Sequence, residues 1–121
     1  MAASTAIIGT RPAVRQQGQA LSKRLVFDQI LQNSGQINRY GISKIGLFGS
    51  FVRGEQKPDS DVDILVDFKD GQETFDNFMG LCFLLDDLFA GRRVEVVTMN
   101  GLSPHIGPHI LKEVEYVEIA N

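Results

Sequence analysis

The sequence has a single cysteine, no tryptophan and only four prolines. One thiol, Cys82, can neither close an internal disulfide nor found a cysteine-based zinc site. A reducing cytoplasm is therefore the expected compartment. No apolar run approaches the roughly 20 residues needed to cross a bilayer, so no membrane partner is expected. Met1 to Ile8 lacks the basic segment and the long apolar stretch of a secretory signal. There is no basic stripe interleaved with aromatics, which argues against direct contact with nucleic acid. What is present is ordinary for one compact domain: 121 residues, 43% of them hydrophobic and 22% charged.

The net charge of −3 hides a division. Residues 1–58 carry eight basic and two acidic side chains, whereas residues 59–121 carry four basic and thirteen acidic ones. The sign changes at Asp59. Residues 1–22, rich in Ala, Gln, Ser and Thr, show no sustained periodicity. They read as an N-terminal extension, with order or disorder left open, ahead of a domain at 23–121.

Leu25, Val26, Ile30 and Leu31 have helical spacing, which predicts a helix over 23–34 stopped by Gly35. The apolar run Ile45–Phe48 predicts a buried strand, Phe51–Gly54 a helical turn or two, and Val62–Phe68 a second strand. Thr74–Phe89 is expected to be the longest helix, with Phe75, Phe78, Cys82, Leu85 and Phe89 in one stripe widened by Leu81, Leu84 and Leu88. That stripe is expected to be core, the lesser alternative being a patch for a partner or a second copy. A third strand is expected at Val94–Val97. Ser103 followed by Pro104 reads as a cap and first residue of a last helix reaching Lys112. Residues 116–119 are left between strand and tail. The expected fold is α/β (α+β), a small mixed sheet with helices packed against it.

The chemistry concentrates at the charge switch. Strand alternation puts Asp61 and Asp63 on one side, and two such neighbours repel unless a cation lies between them. Hard divalent ions such as Mg²⁺ take oxygen ligands of this kind. Upstream, Gly49-Ser50 follows a strand and opens a helical turn, a place where backbone N–H groups and a hydroxyl can hold phosphate. Arg53 is three residues on, divided between phosphate contact and a local salt bridge. Glu95, the one acid of the third strand, has the parity opposite to Val94 and Val96 and is the candidate third carboxylate, for metal and for the acceptor's proton. His105 and His109 have no third ligand and are left to surface or packing roles. Cys82 reads as inert core, Asp67 as structural, Arg92 and Arg93 as solvated, and Lys57, in the turn facing the carboxylates, as a minor candidate for triphosphate contact.

Gly49-Ser50, ten intervening residues, Asp61-x-Asp63 and an acid on a later strand together resemble the DNA polymerase β-like nucleotidyltransferase superfamily. The stretches Gly49–Glu55, Pro58–Phe68, Gly91–Thr98 and His109–Tyr116 are similar to its minimal nucleotidyltransferase branch, so the resemblance spans roughly residues 25–119. It implies transfer of AMP from ATP, with Mg²⁺, onto a tyrosine hydroxyl of a HEPN-domain ribonuclease toxin, which neutralises the toxin. By the same resemblance Gly49 and Ser50 hold the triphosphate and Asp61 and Asp63 the metals; Arg53 is added as a nucleotide-binding candidate and Glu95 as the third catalytic and metal-holding acid. Glu95 stands where the family usually has Asp. Two alternatives remain open at this point: an antitoxin that only binds, or the catalytic subunit of a small-molecule nucleotidyltransferase. A homodimer or a hetero-oligomer with the toxin is allowed.

Overall fold

The computed structural model describes residues 20–119. Most of the expected N-terminal extension, with Arg11 and Arg15, lies outside them. In chain order the elements are α1 (Lys23–Gln32), α2 (Ser34–Asn38), β1 (Ile42–Phe48), α3 (Ser50–Arg53), β2 (Val62–Phe68), α4 (Phe75–Leu88), β3 (Val94–Thr98), a 3-10 turn (Met99–Gly101), α5 (Gly107–Glu113) and β4 (Glu115–Val117). The sheet order is β3-β2-β1-β4, with β1 antiparallel to both β2 and β4, and β2 parallel to β3. The mixed sheet is as expected. The three expected core strands become four, because Glu115–Val117 pairs with Ile45–Leu47.

The two faces of the sheet have different jobs. Ile45, Leu47, Val62, Ile64 and Val66 point into the main core, where α1 supplies Val26 and Ile30, and α4 supplies Leu81 and Leu85. Strand alternation sends the intervening residues to the opposite face. There Phe48 and Leu65 form a smaller core with Ile110 of α5. The same face carries Asp63. No helix among the described residues is long and apolar enough to cross a membrane.

Three local expectations need correction. Gly35 does not stop the first helix: α1 ends at Gln32, where the Asn33 side-chain amide donates to the Gln29 carbonyl. Gly35 instead lies within α2, which forms because it delivers Ile37, fully buried, to the core. The last helix does not begin at Pro104. Ser103 Oγ accepts the Ile106 N–H in a turn, and α5 starts at Gly107 with Pro108 in its first turn. A helix running from Pro104 would need an N–H at Pro108 that proline lacks. Phe75 is not part of the covered stripe, since it is 77% exposed at the first residue of α4. The covered row is Phe78, Leu81, Leu85 and Phe89, and Leu84 and Leu88 pack against the core from its flanks, so the stripe is core as expected.

Candidate active site

β2 places its side chains by register. Asp63 is opposite Phe48 on β1 and opposite Glu95 on β3. Phe48, Asp63 and Glu95 thus form a row across three strands, on the face away from the main core. Val94 and Val96 pack towards that core, and Glu95, between them, is exposed on the other side. The parity expectation for Glu95 holds.

The carboxylates perturb one another. Asp63 is half-buried, and its pKa is raised from 3.8 to about 6. Burial is the largest cause, followed by repulsion from Glu95, a hydrogen bond in which the protonated Asp63 carboxyl is shared with Glu95, and repulsion from Asp61. Arg53 opposes these only slightly. Asp61 therefore acts on Asp63 as the spacing predicted, and Glu95, despite its extra methylene, reaches it. An all-oxygen group with surplus negative charge suits a hard divalent cation. Among the described residues no three acids stand as a ready-made cage.

Gly49 is the pivot between these acids and the phosphate-type donors. Its φ of +80° is a conformation that L side chains rarely adopt, and a Cβ there would run into the Asp63 carboxylate. Glycine is required on both counts. Its N–H points the other way and donates to Glu113 Oε2 at 2.8 Å. Ser50 begins α3, half-buried, and Arg53 ends it. The Arg53 guanidinium donates through Nε to Glu55 at 2.9 Å and through Nη1 to both Glu113 oxygens at 2.9 and 3.2 Å. Those bonds, Glu55 first, hold it above its ordinary pKa. Arg53 is thus in salt bridges beside the Gly49 turn, and both halves of its divided reading stay available. A cleft of about 630 Å³ opens here, with Phe48, Ile106 and Ile110 as apolar walls and Gly49, Arg53 and Glu113 at its polar end. That volume is within the ordinary range for small-ligand sites.

Two residues that sequence reasoning passed over help to build the site. Arg92 Nη1 donates to the Ser60 carbonyl at 2.9 Å, and its guanidinium lies 5.5 Å from the Phe51 ring centroid. It ties the segment leading to Asp61 onto α3, so the solvated reading of Arg92 is corrected. Ser60 Oγ also accepts the Lys57 N–H at 2.7 Å, which sets the same turn. Glu113 is 64 residues from Gly49 in sequence, and no local pattern marked it. His109 lines the cleft, and no described group of three His, Cys, Asp or Glu side chains includes it as a metal site. Cys82 is half-buried, with its thiol pushed up by burial and by Asp86, the opposite of an activated thiol.

A strand, a Gly-Ser turn on a short helix, and an acid row on the next two strands together define a nucleotidyltransferase. The family model described as nucleotidyltransferase domain matches residues 28–117, and the chain belongs to that family. Within it the chain is of the minimal nucleotidyltransferase type. It is similar to protein adenylyltransferase MntA of Thermococcus cleftensis, 47% identical over 79 residues, 65% of this chain and 78% of that protein. Among solved structures it is similar to a minimal nucleotidyltransferase at 30% identity, with TM-score 0.67 over 78% of this chain and 95% of that one. A toxin–antitoxin structure with AMP-PNP shares the fold, at 20% identity and TM-score 0.59 over 78% of this chain and 74% of that one.

Proposed function

We propose that this nucleotidyltransferase moves AMP from ATP onto a tyrosine hydroxyl of a HEPN-domain ribonuclease toxin and so acts as its antitoxin in the cytoplasm. The observation that carries the transferase chemistry is the placement of Asp63, wedged against Gly49 on one side and paired in register with Glu95 on the other. The name of the MntA relative supports a protein as acceptor. The toxin–antitoxin neighbour with AMP-PNP supports both a toxin partner and an adenine nucleotide.

Gly49, Ser50 and Arg53 bind the triphosphate, the glycine because its backbone can approach closely, the serine through its hydroxyl and the arginine through its guanidinium. Asp61, Asp63 and Glu95 are the residues that would hold Mg²⁺, which would supply neutralisation of the phosphate charge. The acceptor oxygen attacks the α-phosphorus, the bond from that phosphorus to the bridging oxygen breaks, and pyrophosphate leaves. The acceptor's proton passes to the Glu95 carboxylate, which is exposed and free to approach a protein substrate. Glu95 takes the family's usual Asp position, and its contact with Asp63 supports retained function at the greater side-chain length.

The test is incubation with α-labelled ATP, Mg²⁺ and the co-encoded toxin. Label should appear on the toxin with wild type and be lost with Asp63→Asn. If neither protein transfers label and both still neutralise the toxin, the chain acts by binding alone. Transfer to a small molecule, and not to the toxin, would instead make it the catalytic subunit of a small-molecule enzyme.

A further inference from the structure

Glu113 closes the last turn of α5 and lies on the donors that the proposed triphosphate site uses. One carboxylate oxygen accepts the Gly49 N–H at 2.8 Å and lies 3.2 Å from Arg53 Nη1, and the other accepts Nη1 at 2.9 Å. A carboxylate is an acceptor-only anion, and this combination of backbone N–H and guanidinium is what a phosphate oxygen takes at such a turn. Gly49 has a single N–H proton, so it cannot fully serve Glu113 and a phosphate together. A polyphosphate beside Glu113 would also meet like charge.

The geometry points to Glu113 as an internal competitor of nucleotide: its carboxylate fills the Gly49–Arg53 donor pair in the free protein and is exchanged for phosphate when nucleotide arrives. This rests on the reading of Gly49 and Arg53 as phosphate contacts. The exchange is feasible because the pair is not locked in the interior. The Arg53 side chain is 47% exposed and that of Glu113 25%, so water can take over the displaced carboxylate. Until then the carboxylate keeps the turn in a donor-forward arrangement. Nucleotide binding therefore also releases the C-terminal end of α5 from α3.

Calorimetric titration of the full chain with Mg-ATP separates the possibilities, using wild type, Glu113→Ala, Glu113→Gln and Arg53→Ala. Removing a partly exposed competing charge should tighten ATP binding by about three- to tenfold, more for Ala than for Gln, whose carbonyl can still accept the Gly49 N–H. Arg53→Ala should weaken binding. If both Glu113 variants bind ATP no better than wild type while Arg53→Ala weakens binding, the competitor assignment is overturned and Glu113 is a positioning residue. If Arg53→Ala costs no affinity, the phosphate reading itself fails. Should Glu113→Ala not fold, Glu113→Gln, which preserves length and the backbone contact, decides the matter alone.

Discussion

At Asp63, burial and two neighbouring carboxylates all act in one direction. The folded protein holds this group at about 6 against an ordinary 3.8, so between those values the native state binds more protons than the unfolded chain. Stability from this group is therefore fully present below about pH 4 and falls as pH rises through 6. The loss is at most about 3 kcal/mol, and solvent screening at a half-buried site reduces it to about 1–2 kcal/mol. Asp63→Asn should raise the Tm of the metal-free protein by roughly 4–8 °C at pH 7.5 and leave it little changed at pH 4, while abolishing transfer. Equal Tm values at both pH values would sink this account. Gly49 answers to sterics instead. Gly49→Ala forces a Cβ into the Asp63 carboxylate at a positive φ. It should cost about 2 kcal/mol or more in urea unfolding, with transfer lost as well. These two residues were visible in the sequence because a strand's parity and a Gly-Ser turn are local signals. Glu113 and Arg92 were not, because their partners are brought to them only by the closed sheet.

Among the elements, α4 is the one whose sequence says most about its packing, except at its first residue. Thr74 caps it, its hydroxyl accepting the Asn77 N–H at 3.1 Å. Periodicity alone admitted Phe75 to the buried stripe, but the first residue of a helix is carried past the surface that the following turns cover. Leu85→Ala should cost about 2–5 kcal/mol by emptying a fully buried position. Phe75→Ala, at 77% exposure, should stay within about 0.5 kcal/mol. Parallel urea melts of the two variants check the assignment, and a large loss at Phe75 would mean that this end of α4 is covered after all. β2 was legible to its ends because a run of branched apolar residues, interrupted only by Asp63 and Asp67, lies between clear turn signals. The starts of α2 and α5 were not, because in each a buried isoleucine, Ile37 or Ile110, outweighs an unfavourable local residue.

For the whole molecule, the sequence's charge division does not become a division in space. β1, from the basic half, lies between β2 and β4 of the acidic half. Lys23 meets Glu115 at 3.2 Å and Arg53 meets Glu113 at 2.9 Å, each pairing one half with the other. Pairs this exposed are screened by solvent and cost side-chain entropy to hold, so they do not hold the fold together. The sheet does. β1 and β2 are central, and Ile64, Leu65 and Val66 are fully buried in succession, because the smaller core covers Leu65 on the face opposite the main one. β4, by contrast, is a three-residue edge strand, and α5 contributes only Gly107 and Ile110 to the buried set. Opening free energies within a domain follow such differences in buried contact. Native-state hydrogen exchange should therefore find the slowest amides at 45–48 and 63–66, exchanging only by global unfolding. Amides of α5 and β4 should exchange faster, through a smaller opening. The same opening would carry Glu113 away from Gly49, so Mg-ATP should speed exchange at the C-terminal end of α5 while slowing it at Gly49. Protection of α5 equal to that of β2, unaltered by nucleotide, would show that the second face is as firmly closed as the first and that the carboxylate does not leave.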